Sequence, residues 1–198
     1  AGTFAAASSL LQSIGALDTN QSITPLGQQM LKLGTHPRLA AMLLCAHDET
    51  EKSLACDLAA LIEARDPLTG YRGEDWHSRW LALSAFQQQS RLVNDQYGVS
   101  KAALTAIAHA ARQWRKRMRC AALNTDCSAH QLGDVLLHAF VDRIAHVHPD
   151  NRLRYQLSNG RMARLHEAST LIGEPWLVVS ELRFEQKDSL IMRAAPLD

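Results

Sequence analysis

The sequence predicts a mainly α-helical chain that ends in a β-rich C-terminal module. Three observations carry this reading. Apolar residues recur three and four apart from Phe4 to about Ala145, the spacing of helices that bury one face. After His148-Pro149 the period becomes two, with Leu153, Tyr155 and Leu157 alternating with Arg152, Arg154 and Gln156. Asn159-Gly160 then gives the signal of a two-residue type I′ hairpin, whose central residues both need positive φ. Of the 198 residues 46% are hydrophobic and 21% charged, which places the chain with folding sequences and not disordered ones.

Each element has its own warrant. Phe4, Leu10, Leu11, Ile14 and Leu17 form the stripe of a first helix that stops near Gly15 and Asp18. A polar turn follows at Thr19, Asn20 and Gln21, and Ser22-Ile23 reads as extended. Thr24-Pro25 opens a second helix: the threonine oxygen can accept from orphan first-turn amides, and proline suits a position whose N–H had no partner. Leu26, Met30 and Leu33 mark its buried face and Gly34 its end. His36-Pro37 interrupts before a third helix over 38–46, and 51–64 makes a fourth through Leu54, Leu58, Leu61 and Ile62. A polar loop over 65–75 leads to a fifth helix, 76–93, with Trp80, Leu83 and Phe86 inward. Ser100 caps a sixth over 101–123, and a seventh covers 129–145. Strands are predicted at 153–157, 161–165, 176–184 and 189–194, with no internal repeat and no low-complexity segment.

Several classes of protein fall away. No apolar run approaches the roughly 20 residues that span a bilayer, so no membrane association is expected. The N-terminus lacks the basic and long apolar regions of a signal peptide, and with four cysteines and no Cys-x-x-Cys pair the thiols are expected to be reduced in a cytoplasmic setting. The first residue is Ala, so the chain reads as an excised fragment. Cys45, His47 and Cys56, or Cys120, Cys127 and His130, are the nearest metal-ligand candidates, but neither set has the paired short spacings of structural zinc, and no metal site is expected. His146 and His148 beside Pro149 read as solvent-facing residues at a helix end. There is no phosphate-cradling Gly-x-x-x-x-Gly-Lys-Ser/Thr, no Gly-x-Ser-x-Gly elbow and no nucleophile set, so no catalytic residue is assigned.

Charge points to a partner. The net charge is +1, but residues 1–100 carry 7 basic and 10 acidic side chains, and residues 101–198 carry 14 and 10. Between Asp95 and Asp126 no acid occurs, while Lys101, Arg112, Arg115, Lys116, Arg117 and Arg119 all fall there. Leu104, Ile107, Ala111, Trp114 and Met118 form the buried stripe of that helix, and Arg112, Arg115, Lys116 and Arg119 are read as sharing the opposite face. An uncompensated basic face suits phosphates, because released counterions favour binding. The competing reading is a solvated helix whose arginines pair with acids elsewhere in the fold. A second basic set, Arg152, Arg154, Arg161 and Arg164, flanks the Asn159-Gly160 turn, where a hairpin can follow a nucleic-acid backbone or simply present a polar outer face.

The residues 11–18 (LQSIGALD), Ile23-Thr-Pro-Leu-Gly27, Met30 and 36–43 (HPRLAAML) resemble the winged-helix segment behind the motor domains of DEAH-box helicases. Residues 63–68 (EARDPL), 142–145 (DRIA), 154–161 (RYQLSNGR), 175–179 (PWLVV) and 195–198 (APLD) are similar to a bacterial branch of that family. The resemblance implies three accessory modules: a winged-helix part over 1–47, a ratchet-like helical bundle over 48–147, and the start of an OB-like barrel over 148–198. The barrel is expected to be incomplete, since four predicted strands fall short of the five an OB-fold needs. Both ATPase domains are missing, so ATP and Mg are implied for the parent enzyme and no cofactor for this fragment.

The function expected is nucleic-acid binding and interdomain packing within an ATP-dependent RNA helicase, without ATP hydrolysis by the fragment. Lys101, Arg112, Arg115, Lys116 and Arg119 would meet phosphates, and Arg152, Arg154, Asn159 and Arg161 would line the path of single-stranded RNA or DNA. The parent's own ATPase domains are the expected protein partner. The rival is a winged-helix regulatory or protein-interaction module whose basic helix docks on an acidic protein surface.

Overall fold

The computed structural model describes residues 2–88, 98–122 and 126–198. Within them the chain runs through seven helices and then five strands. The first unit comprises α1 (Gly2–Ser13), α2 (Pro25–Leu33) and α3 (Pro37–Cys45). Thr24 Oγ1 accepts from the Gly27 amide at 2.9 Å, and Gly34 ends α2 in the left-handed region at φ 62°. Leu17 and Ile23 pair as a short bridge, so the extended reading of Ser22-Ile23 holds. Ile14, Ala16, Met30, Ala40 and Ala41 make the small core of this unit.

The bundle comprises α4 (Glu49–Glu63), α5 (Trp76–Gln87), α6 (Lys101–Met118) and α7 (Ala129–Leu137). Asp48, Asp75, Ser100 and Ser128 cap them in turn, each accepting from an amide in the first turn. Leu58, Leu83, Ile107, Leu132 and Leu136 are fully buried between them. The predicted continuation of α5 through residues 89–93 lies outside the described residues. Helix α6 stops at Met118, short of 123, because Arg119 turns left-handed at φ 55° and returns its amide to Arg115 O.

The apolar pattern predicts a seventh helix as far as 145, but α7 ends at Leu137. Ala139 and Phe140 extend its apolar pattern into the bundle core, but Ile144 and Ala145 belong to a strand. This β1 (Ile144–His148) is followed by β2 (Asn151–Leu157), β3 (Met162–Arg164), β4 (Trp176–Arg183) and β5 (Ser189–Pro196). They close into a barrel in the order β1-β2-β3-β5-β4, with β3 and β5 parallel and the other pairs antiparallel. The incomplete module is thus corrected: β1, hidden in the helical pattern, supplies the fifth strand and begins ahead of residue 148. Ala145 lies opposite Leu157 on one side and Leu177 on the other, so β1 satisfies its backbone twice. His146 and His148 accordingly sit on a strand and not at a helix end.

Tyr155, Leu157, Ala163, Leu177, Val179 and Ile191 fill the barrel. The β2–β3 connection differs from a type I′ turn, since Gly160 has φ 83° while Asn159 does not enter the positive region. Gly160 N donates to Leu157 O and Leu157 N to Arg161 O, both at 2.8 Å, closing a loop with one left-handed residue in place of two.

Bundle and barrel share a core, in which Val178, Ala195 and Leu197 join the residues of α7. Polar ties cross the same seam. The Trp76 indole donates to Ser180 Oγ at 2.8 Å, and Asp66 Oδ2 accepts from both Arg79 and Arg193 at 2.7 Å. Arg38, buried at the start of α3, donates two bonds to Asp142 (2.6 and 2.9 Å) and a third to Ala139 O. This joins the first unit to the turn before β1.

Burial opposes ionisation of Asp142, but the Arg38 guanidinium outweighs it and holds the carboxyl below its ordinary value. A depressed carboxyl adds stability above the unfolded-state pKa, and that stability is lost as pH falls through the folded value. The Arg38→Gln variant is therefore expected to show a shallower loss of stability on acidification. Denaturant midpoints measured from neutral to acid pH check this, and an unchanged acid limb would contradict it.

Candidate nucleic-acid interface

Helix α6 buries Leu104, Ile107, Ala108, Ala111 and Trp114 against α4 and α5. Residue 115 stands four after Ala111 and seven after Ala108, so it falls on that buried face. The expectation that Arg115 lies outside is corrected: it is 6% exposed, ion-paired to Asp57, and its Nε points to Ser53 Oγ at 3.4 Å. Asp57 also accepts from the Trp80 indole at 3.1 Å. Burial pushes the Asp57 carboxyl up, against the pull of Arg115 and the indole N–H. Arg115 is thereby the counter-ion of a buried acid and not part of the outer face.

Arg112, Lys116 and Arg119 are exposed, with no ion-pair partner among the described residues. Arg112 and Lys116, four apart, share one exposed face of α6, and Arg119 follows as the left-handed residue that ends the helix. The helix dipole concentrates negative potential at that end, so Lys116 in the last turn and Arg119 at the cap also stabilise it. Arg117 does not join them, since it donates to Leu33 O at 2.6 Å and lies over the Trp114 ring. Lys101 is exposed at the opposite end of α6, about 16 Å of helix rise from Arg112.

The barrel's basic residues are not equivalent either. Arg152, Arg154 and Gln156 project outward from β2, as the period of two requires, while Tyr155 and Leu157 are buried. Arg154 lies opposite Arg164 in register, a like-charge pair that would repel. The β4–β5 loop resolves the conflict: Asp188 takes Arg154 through two bonds, and Glu185 takes Arg164 at 2.9 Å. The Arg154 charge is therefore compensated. Arg152 is the second residue of β2 and lies against Gly173, whereas Asn159 and Arg161 sit at the hairpin tip at the strand's other end. Asn159 Oδ1 accepts from the Arg161 amide at 3.0 Å, so that side chain shapes the tip.

The barrel also exposes two aromatic side chains at the two ends of β4, which charge patterning does not reveal. Phe184 is 68% exposed and carries the Arg161 guanidinium 5.5 Å above its ring. Trp176, 44% exposed, lies with its ring 4.2 Å from that of His146 across the β1–β4 pair. An exposed ring beside a cation, as at Phe184 and Arg161, is the kind of part from which sequence-tolerant base-stacking sites are made. The only signal in the sequence was that both aromatics bracket one predicted strand.

The cysteines are free. Cys56 and Cys120 approach to 3.8 Å, burial pushes the Cys56 thiol up, and the Cys127 thiol is pushed up to about 11. Neither cysteine-containing metal candidate converges among the described residues; His47 instead lies beside Glu51 and His138. No helix among the described residues is long and apolar enough to cross a membrane.

Comparison with known proteins agrees with this architecture. Residues 9–34, within the first unit, match the family model of the helicase associated domain (HA2), winged-helix. The chain as a whole is similar to a C-terminal region of HrpB. It is 31% identical over 174 residues to the ATP-dependent RNA helicase HrpB of Escherichia coli (strain K12), a stretch covering 87% of this chain and 18% of that protein. The crystal structure of the E. coli DExH-box NTPase HrpB superposes with TM-score 0.72 at 30% identity, covering 98% of this chain and 21% of that one. A structure of the Escherichia coli DEAH/RHA helicase HrpB gives TM-score 0.71 at 29% identity, over the same shares. The chain thus spans about a fifth of the length of these relatives.

Proposed function

We propose that the chain is the accessory nucleic-acid-binding and interdomain-packing part of an ATP-dependent, cytoplasmic RNA helicase resembling HrpB, and that it does not itself hydrolyse ATP. The observation that supports this best is the exposed, acid-free patch of Arg112, Lys116 and Arg119 in a chain similar to an RNA helicase over 87% of its length. Phosphates of a single strand would lie along that patch. The OB-like barrel would add Arg161 and Asn159 at the hairpin tip, with Arg152 at the far end of β2. Lys101 and Arg154 contribute less, the first by distance and the second because Asp188 already neutralises it. In the whole enzyme, ATP and Mg would act in the motor domains.

Replacing Arg112, Lys116 and Arg119 with alanine is expected to flatten the log–log salt dependence of single-stranded RNA binding by about 2, at about 0.7 per lost phosphate contact. Titration of labelled oligoribonucleotide at several salt concentrations measures it. An unchanged slope, or no binding by the parent chain at low salt, would refute the assignment.

A specific observation also favours protein docking by the first unit. Phe4 and Leu31 are 79% and 73% exposed, and α1 buries none of its residues fully. These apolar side chains suit the interdomain-packing role, with the parent's ATPase domains as partner. A tight complex with separately produced motor domains, lost on Phe4→Ser and Leu31→Ser substitution, would support that part of the reading.

A further inference from the structure

The fold brings three potential metal ligands together from distant parts of the sequence. His47 lies in the connection between α3 and α4, Glu51 in the first turn of α4, and His138 at the C-terminal cap of α7. One ligand atom from each falls within 4.8 Å of the others. The two imidazoles meet edge to face, with centroids 5.4 Å apart and planes at 72°. Neither ring has a hydrogen-bond partner among the described residues, so their nitrogens are uncommitted. Glu51 is already oriented, because its Oε2 accepts from the His47 amide at 2.7 Å. Asp134, one turn before His138, lines the adjoining depression together with Glu51.

We propose that His47, Glu51 and His138 form a zinc-binding site that clamps the end of the first unit and the start of α4 to the end of α7. The donor set decides the metal. Two imidazole nitrogens and one carboxylate oxygen suit Zn²⁺, whereas Ca²⁺ and Mg²⁺ take oxygen ligands almost exclusively. Metal–ligand bonds of about 2.0–2.1 Å put tetrahedral ligand atoms roughly 3.3 Å apart. The present separations close to that value by side-chain rotation, with His47 exposed and free to turn. Three protein ligands leave a fourth position for water. Cys45, two residues before His47, is the alternative donor suggested by sequence spacing, but it does not join the group. Because the ligands come from α4, α7 and the loop between α3 and α4, the ion would bind the folded chain and not the unfolded one, and so would raise its melting temperature.

Zn²⁺ titration of the metal-free chain by calorimetry, with thermal melts alongside, tests the site. One ion per chain and a higher Tm are expected. His47→Ala should weaken binding by about 100-fold while leaving the metal-free Tm unchanged, since a lost direct ligand costs at least as much as a lost supporting partner. His138→Ala and Glu51→Gln should weaken it too, and His109→Ala, an exposed histidine on α6, should not. Substituted Co²⁺ should give the absorption of nitrogen and oxygen ligation without a thiolate charge-transfer band. Wild-type affinity in His47→Ala, a thiolate band that disappears in Cys45→Ser, or no saturable binding at micromolar Zn²⁺ would each overturn the proposal.

Discussion

Arg115→Ala is expected to destabilise the chain by about 3–5 kcal/mol, far more than loss of an exposed arginine from the same helix. The guanidinium is the counter-ion of Asp57, and both are buried beneath α4 and α6. Its removal leaves a carboxylate held, among the described residues, by the Trp80 indole and the Gln87 side chain. The carboxyl then titrates at a value raised above that of the unfolded chain. A raised acid destabilises the fold as pH climbs from the unfolded value toward the folded one, so the loss should be smaller at acid pH than at neutrality. Asp57→Asn on the Arg115→Ala background should recover part of the stability at neutral pH, because the buried charge is gone. For a chain of this length the melting temperature should fall by roughly 10 °C, whereas Arg112→Ala should barely move it. A loss in Arg115→Ala no greater than in Arg112→Ala would show that Arg115 faces solvent.

Gly133→Ala is expected to cost about 3 kcal/mol or more, against the usual preference of helices for alanine over glycine. Gly133 lies in the middle of α7, and a Cβ there would overlap the backbone carbonyl of Pro196 on β5. Neither partner can rotate away, since one is helix backbone and the other strand backbone. Helix and strand must therefore separate, opening the shared core around Leu132, Leu136, Ala195 and Leu197. Gly2→Ala is the control: it is also a helical glycine, but nothing lies within 4 Å of its added Cβ, and it should be neutral or slightly stabilising. Denaturant midpoints for the two variants decide the matter. A neutral Gly133→Ala would mean that α7 and β5 are not in close contact.

Where the fold departs from the sequence pattern, the physical cause lies in single residues. Charge suggests solvent for Arg115, yet its position continues the apolar row of Ala108 and Ala111; the partner that makes burial tolerable stands 58 residues away. The strand β1 was absorbed into the preceding helix because Ala139, Phe140, Ile144 and Ala145 keep an apolar texture through the change. Only pairing with β2 and β4 decides that the second half is extended. Asn159-Gly160 marked the hairpin correctly, but the conformation depends on how the two strands are closed. The neutralisation of Arg154 and Arg164 was invisible because Glu185 and Asp188 arrive from a loop more than twenty residues on.

Local chemistry alone determined the order of the seven helices, the helix starts at Thr24 and Ser100, the extended character of the chain after residue 150, and the basic character of α6. Periodicity, capping and charge act over a few residues, and a sequence displays them directly. The tertiary structure alone decided which cations remain free, that the barrel closes, that Gly133 must lack a side chain, and that His47, Glu51 and His138 meet. Each of these is a contact between residues far apart in the chain, set by close packing and by the need to satisfy buried charge.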